Sequence, residues 1–518
     1  MIRITVALLF CCALVLGSCS KLNETLEGDL TQGQVASGAA NGDVLLNGVY
    51  HSLEYTFTSH LFIFPLMELS TDEAIAPTRG QDWDDNGIWR DLHQHRWNSI
   101  HERLGACFNR LSGTIYAATD LLRYPSTQMQ KAEARFIRAW AMYLLLDMYN
   151  QVPYRDPGET LTEVAKVRMG VEALNYIIEE INDIKDFLLP SPVHRANKYA
   201  AIFLLMKCYL NKAVYENRVT PEFELTDMNR VIELADEIIA SNAFQFADNY
   251  FDNFAPDNTV IGTENIFTHF NEPGISEDNL TWFAWAIPFH PKQGLYGLNG
   301  WTTLPDFYNK FEPSDKRRGL AYQAAGSPPN PGNHINVGFL IGQQYDYQTG
   351  APLTYQNGAL IFTPAVENIE TGLNMEVTGI RPIKYMPDWN NYFRPGNDFV
   401  FFRFPDVLLM KAEAIMRGGT PTHSGPYGNS PLGIVNSIRT HPSRGASALT
   451  SITLEILLDE RGRELWWESW RRQDLVRFKK FLLPFQGKNY TSDPKFLIYP
   501  IPAEQLAINP NLVQNPGY

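Results

Sequence analysis

Residues 131–149 read KAEARFIRAWAMYLLLDMY, a helical stretch that is apolar on nearly every face, with Phe136, Trp140, Tyr143 and Leu144 at helical spacing. Such a helix has no side fit for solvent and is stable only where other elements cover it all round. The neighbours that can cover it are present. Val171, Leu174, Ile177, Ile178, Ile181, Ile184 and Leu188 trace one amphipathic stripe, and residues 199–215 and 231–239 supply two more helices. Helices of similar length on short connections predict helical hairpins stacked side by side. No repeat of fixed period accompanies them. The expected class is therefore mainly α, a tetratricopeptide-like hairpin scaffold.

That periodicity covers residues 41–243. Over residues 244–400 the helical stripes fail and Gly, Asn, Pro and aromatic residues rise, with GSPPNPGN at 326–333 as plain loop chemistry, so an irregular, loop-rich elaboration is expected there. Helix returns in residues 401–518, first over 404–417, with Pro405 in the first turn and Gly418 and Gly419 as the stop, then over 454–478. No low-complexity linker divides the 518 residues, so the two helical regions are expected to pack as one unit.

The N-terminus carries an export signal: Arg3, an apolar stretch over residues 6–16, then Leu16-Gly17-Ser18-Cys19. Small residues ahead of a Cys are what lipoprotein cleavage needs, so residues 1–18 are read as a lipoprotein signal peptide. Cys19 becomes the lipidated first mature residue, and residues 19–40 form a flexible tether. No other run of eighteen apolar residues exists, so the lipid is the expected membrane contact. Of the remaining cysteines, Cys107 and Cys208 sit in apolar helical contexts and are expected as buried free thiols. With 43 Lys+Arg against 57 Asp+Glu, a net charge of −14 and no basic run, nothing is available to neutralise a phosphate backbone, and nucleic acid is excluded as a partner.

Most catalytic motifs fail outright. His101-Glu102 begins a zincin-like pattern, but position 105 is Gly and the second His is missing; GxSxG, GxxxxGK[ST] and GxGxxG are absent. His93 and His95 form an HxH that could chelate a metal, although a solvent-exposed or core-satisfied pair is its commoner meaning. Residues 82–87, DWDDNG, place Asp82, Asp84 and Asn86 at positions 1, 3 and 5 of a calcium loop, yet position 12 is His93 instead of the bidentate Glu, so calcium is only a weak candidate and no cofactor is expected. Glu68, Asp72, Glu73, Asp82 and Asp84 are grouped in sequence, but a glycosidase needs its two carboxyl groups about 5–9.5 Å apart across a bound sugar, which sequence spacing does not establish. Aromatic residues in loops are the more telling feature: Trp83, Trp89 and Trp97, then Trp282, Trp285, Tyr296, Trp301 and Tyr308 beside Gly, Asn and Pro turns. An exposed flat ring can stack on the apolar face of a sugar while neighbouring Asp and Asn take its hydroxyls, although the same rings can equally pack the elaboration onto the helical body.

Several segments together resemble the SusD/RagB family of surface nutrient-binding lipoproteins. They are Asn47-Gly48-Val49-Tyr50, Glu68-Leu69-Ser70-Thr71-Asp72-Glu73, the stretch 132–154 with Asn150 in place of the usual Gly, RFPDVLLMKAEA at 403–414, LLDERGRELWWESWRRQDLVRF at 457–478 and the closing segment 499–518. Read physically, most of this is scaffold. Glu468 and Arg472 stand in favourable i,i+4 order, with Leu465, Trp466 and Trp470 on a buried stripe, and Pro500, Pro502 and Pro510 hold the final segment extended.

The resemblance implies a SusD-like fold, no enzymatic activity, a cell-surface position on the outer membrane, and a SusC-like TonB-dependent outer-membrane transporter as partner for oligosaccharide import. Ligand residues do not transfer by motif. The expected stacking platforms are Trp83, Trp282, Trp285, Tyr296 and Trp301, with Asp82, Asp84 and Asn299 as hydroxyl partners. A peptide ligand within the same family, a surface glycosidase and a purely structural assembly protein are the competing expectations.

Overall fold

The computed structural model describes residues 42–276, 280–294, 296–324 and 329–518. The signal peptide, Cys19 and the tether lie outside the described residues. In chain order the helices that build the scaffold are α1 (Gly42–Thr58), α2 (Ile88–His93), α3 (Glu102–Leu121), α4 (Gln128–Tyr149), α5 (Gly170–Ile184), α6 (Lys198–Glu216) and α7 (Leu225–Ala240). After a short helix α8 (Phe283–Ala286) in the elaboration come α9 (Phe404–Met416), α10 (Pro431–Arg439), α11 (Leu454–Leu465) and α12 (Arg471–Arg477). From α3 to α7 each helix packs on the next, α1 packs on α3 and α4, and α7 hands the array to α9, which carries α10 and α11. This is a tetratricopeptide-like hairpin scaffold whose last layers come from the far end of the chain.

The apolar helix α4 sits at the centre, with Phe136, Trp140, Tyr143 and Leu144 all buried. Its ends are set by local chemistry. Thr127 Oγ1 accepts from Gln130 N at 3.1 Å while Thr127 N donates to Gln130 Oε1 at 2.8 Å, a reciprocal N-terminal cap. At the other end Asn150 adopts φ 62°, the left-handed conformation that stops a helix, and its N–H donates to Leu146 O. Asn fills here the place for which glycine is the commoner choice. Around α4 the aromatic packing draws in Phe57, Phe267, Phe401 and Phe402, the last three from a two-stranded antiparallel ribbon that pairs Asn265–His269 with Phe399–Arg403. Cys107 and Cys208 are free, buried thiols. Burial pushes the Cys107 thiol up to about 12. No helix among the described residues is long and apolar enough to cross a membrane.

One expected helix is two. The stretch 454–478 breaks after Leu465, where Trp466 turns to ψ 138°, Trp467 and Ser469 take φ 63° and 64°, and α12 starts afresh at Arg471. The i,i+4 pairing of Glu468 with Arg472 is consequently absent. Glu468 instead accepts from Arg403 (2.7 Å) and Lys384 (2.9 Å), and Arg472 donates to Asp147 Oδ2 (3.1 Å) and Leu497 O (2.9 Å). Charged partners from distant segments outcompete the local helical pair because they lie in the buried interior, where a charge must be matched. The final segment is tied to α4: Tyr499 N donates to Met148 O, and Asn515 Nδ2 donates to Tyr149 O at 2.9 Å.

Candidate binding site

The elaboration folds back over the start of the scaffold through small sheets: Ala74–Ile75 pairs antiparallel with Thr302–Thr303, and Thr78–Arg79 pairs parallel with Ile369–Glu370. These pairings bring the loop before α2 against the 291–300 segment. Between them lies an open cleft of about 660 Å³, lined by His60 and Leu61 after α1, by Asp82, Trp83, Asp85 and Asn86, by Glu102 and Arg103 at the start of α3, by residues 297–299, and by Glu376.

Trp83 is the organising side chain. Its backbone is left-handed (φ 60°), its indole N–H donates to Leu298 O at 2.9 Å, and its ring is half-buried. Gly300 makes that placement possible, because a Cβ there would stand 2.4 Å from Trp83 Cζ2. Trp89 and Trp301 pack behind Trp83 with ring centroids 6.2 and 6.0 Å away. From His60 a chain of rings leads out of the cleft. His60 contacts Phe283 at 4.5 Å, and Phe283 stacks on Trp282 at 4.1 Å. Trp282 meets Tyr296 and Phe393, which are 44% and 49% exposed. The result is an aromatic ridge running from the cleft to an exposed triad. Of the expected platforms, Trp83, Trp282 and Tyr296 thus offer ring surface to a ligand.

Trp285 does not. It is fully buried against Tyr392, because α8 turns it inward where its large apolar area stabilises the elaboration. Trp301 is 2% exposed and stacks on Phe64 with an interplanar angle of 11°, so it supports Trp83 instead of presenting a face itself. Trp89 and Trp97 are buried as well.

Polar groups follow the same division. Asp82 is exposed on the cleft wall. Asp84 points away into an ion pair with Arg90 at 2.7 Å, leaving Asp85, which accepts from Trp89 Nε1 at 2.6 Å, to face the cleft. Asn299 donates its amide to Glu376 Oε2 (3.0 Å) and Met375 O (3.3 Å), while its Oδ1 is buried without a donor. Glu376 also has His290 Nε2 3.0 Å away. Burial and the nearby Arg381 hold the His290 imidazole down at about 4, so it is neutral at physiological pH. His60 is likewise depressed to about 4 by burial and by Arg103.

The calcium reading of Asp82, Asp84 and Asn86 meets a loop in which Arg90 already holds Asp84 and Trp89 the neighbouring Asp85, and among the described residues no group of three His, Cys, Asp or Glu side chains stands ready for a metal. His93 and His95 are core histidines. The first lies 3.1 and 3.0 Å from Leu69 O and Gln486 O, and the second 2.8 Å from Ser70 O and 2.9 Å from Ser492 Oγ.

The carboxyl group cluster also resolves into structure. Asp72 forms a two-pronged pair with Arg471, both contacts 2.7 Å, and Glu68 and Glu73 are buried beneath the Trp467 turn. Sequence reasoning missed His60, Phe393, Glu376 and Arg103. Phe393 carried a usable signal, an aromatic ring in the Asn- and Gly-rich loop NNYFRPGN. The other three are brought in only by tertiary pairing.

Residues 302–518 match the sequence model of the SusD family. The starch-binding protein SusD of Bacteroides thetaiotaomicron is 26% identical over 503 residues, spanning 88% of this chain and 85% of that protein. The chain is SusD-like. In solved structures the SusD-like fold recurs in a SusD superfamily protein from Parabacteroides distasonis, with a TM-score of 0.70 at 19% identity over 95% of this chain and 100% of that one. It recurs again in surface glycan-binding protein A from B. thetaiotaomicron in complex with laminarihexaose, with a TM-score of 0.63 at 14% identity over 92% and 98%.

Proposed function

We propose that this SusD-like protein captures a glycan at the cell surface, without cleaving it, and passes it to a SusC-like TonB-dependent outer-membrane transporter, while Cys19 carries the lipid that holds it there. The observation that carries this reading is the aromatic ridge from Trp83 through His60 and Phe283 to Trp282, Tyr296 and Phe393, flanked by Asp82, Asp85 and Glu376. Flat rings offer stacking to the apolar faces of successive sugar rings, and the adjacent acids accept hydrogen bonds from hydroxyls. The starch-binding relative and the laminarihexaose complex of a structural neighbour point to the same ligand class. Of the sequence cluster, Glu68 and Glu73 are buried and Asp72 is held by Arg471, which supports a structural role for these three, while Asp82 is left on the cleft wall as a hydroxyl acceptor.

The test is a titration of the soluble protein beginning at Ser20 against a polysaccharide panel by calorimetry, with released reducing ends assayed in the same mixtures. Saturable binding without release is expected. Trp83→Ala should weaken it about five- to thirtyfold, since one stacked ring contributes on the order of 1–2 kcal/mol. Gly300→Ala, which displaces the Trp83 ring without deleting it, should do the same. Product formation would make the protein a glycosidase, and silence across the panel would move the ligand to peptides.

A further inference from the structure

Arg79 stands at the foot of the turn that presents Trp83. Its backbone pairs with Asp82 in both directions: Arg79 N donates to Asp82 O at 2.9 Å, and Asp82 N donates to Arg79 O at 3.0 Å. The turn closed in this way delivers Trp83 in its left-handed conformation. Gly80, itself at φ 66°, lets the turn lie on Met375, because a Cβ there would stand 3.2 Å from Met375 Sδ.

The Arg79 side chain is only 4% exposed and crosses to the turn that carries Glu376. Nη1 donates to Met375 O and to Thr378 Oγ1 (3.0 Å), and Nη2 donates to Thr378 O at 2.9 Å. Met375 O accepts in addition from Asn299 Nδ2 at 3.3 Å, next to Leu298, whose carbonyl holds the Trp83 indole. One carbonyl thus joins three segments that wall the cleft: the Trp83 turn, residues 297–299 and the Glu376 turn.

Two features set this side chain apart from the other buried arginines. Its hydrogen bonds all go to uncharged oxygens, whereas Arg317, Arg403 and Arg444 each face carboxylates. Glu370 and Glu376 lie near enough to favour its charge, and although burial pulls it down to about 10 it stays charged at physiological pH. A buried charge hydrogen-bonded only to neutral groups is costly, and costs of that kind are tolerated where function needs the geometry. The second feature is that the turn it grips is held without it. Thr363 N donates to Val377 O at 2.9 Å, Gly379 N donates to Thr363 O at 2.8 Å, and Thr378 N donates to Asn374 O at 3.0 Å. Losing Arg79 therefore frees the Trp83 side and leaves the anchor in place.

We propose that Arg79 is a positioning residue for ligand capture: its fork fixes the turn that presents Trp83, so glycan affinity depends on a side chain buried behind the cleft wall. The inference rests on the glycan-binding reading above. Only a planar fork serves three acceptors on one turn, and a lysine ammonium in the same place is a point charge.

Fluorine NMR of the soluble protein carrying fluorotryptophan reads the placement without a ligand. The Trp83 line, and that of Trp389, which packs on Tyr347, are assigned by their loss in Trp83→Phe and Trp389→Phe. Arg79→Met should move the Trp83 line and leave the Trp389 line in place. Calorimetry with soluble starch, laminarin and xyloglucan reads the consequence. Arg79→Met should weaken binding about fivefold or more, yet by less than about twofold when Trp83→Ala is already present, since effects passing through one contact do not add. Arg79→Lys keeps the charge without the fork and should match Arg79→Met, and it replaces Arg79→Met if thermal unfolding shows that variant misfolded. An unmoved Trp83 line, additive losses or full rescue by lysine would overturn the assignment. If the unsubstituted protein binds no glycan of the panel, these three included, the glycan-binding reading falls and the binding role of Arg79 with it, while the Trp83 line still reports whether Arg79 places the ring.

Discussion

Glu68 and Glu73 are five positions apart and both buried, and they do not behave as ordinary acids. Burial first, then the neighbouring Glu73 carboxylate, push the Glu68 carboxyl well above the usual range, and neither of its oxygens has a hydrogen-bond partner. Burial likewise raises Glu73 to about 8, against the opposing pull of Arg471, while its Oε1 accepts from the Trp467 N–H at the turn between α11 and α12. The folded protein therefore holds a proton on Glu73 that the unfolded chain releases near pH 4.5. Between about pH 4.5 and 8 the folded state binds more protons than the unfolded one, so this group's contribution to stability falls as pH rises and levels off above pH 8.

Glu73→Gln keeps the acceptor for Trp467 and removes the titration. Relative to the unsubstituted protein it should gain stability from pH 5 to pH 8, by at most about 1.4 kcal/mol per pH unit. Denaturant midpoints of the two proteins at several pH values check this, and a difference independent of pH would show that the carboxyl is ionised in the fold.

Helix ends show what the sequence could and could not carry. The end of α4 was legible: a long apolar run followed by Asn150, whose φ of 62° suits Gly, which lacks a Cβ, and Asn, whose short amide can hydrogen-bond the local backbone, and penalises other residues. Asn150→Gly should accordingly change stability by less than about 0.5 kcal/mol, whereas Asn150→Ala should cost about 1 kcal/mol, measured as the shift in chemical unfolding. The helices from α3 to α7 and the start of α9 were legible for the same reason, since apolar spacing and caps are local signals. The break between α11 and α12 was not. It is imposed by Glu73, Arg403 and Lys384, which stand between roughly 60 and 395 positions away, and no local pattern reports them. The site divides likewise. Aromatic residues in polar loops marked the right segments, but whether each ring faces ligand or core depends on partners such as Tyr392 for Trp285 and Phe64 for Trp301. Sequence alone does not contain that choice.

Across the molecule, the scaffold and the elaboration share one continuous apolar core, and a buried ionic cluster crosses it. Glu464 on α11 accepts from Arg403 at 2.7 Å, from Arg444 at 2.6 Å and from Arg317 at 3.0 Å, and Glu264, just ahead of the ribbon, answers Arg403 and Arg444 at 2.7 and 2.6 Å. These side chains come from the elaboration, the ribbon and the C-terminal helices, and all are fully buried. Burial opposes ionisation of Glu464, yet the three guanidiniums hold its carboxyl far below the usual range. Its stabilising contribution is thus present above the unfolded carboxyl value near 4.5 and is lost only in strong acid, as pH falls toward the depressed folded value.

Removing one partner from such a cluster leaves charges that cannot reach water. Glu464→Ala should lower the unfolding free energy by about 3–5 kcal/mol at pH 7, whereas a pair screened by solvent, such as Lys480 with Glu455, should matter far less. Because the cluster ties the elaboration to the C-terminal helices, which pack on the rest of the scaffold, the loss should appear as an earlier transition seen alike by far-ultraviolet circular dichroism and by tryptophan fluorescence. Two separated transitions in the variant would mean instead that the helical scaffold and the elaboration are independent cooperative units, and that the cleft is held together by the short sheets alone.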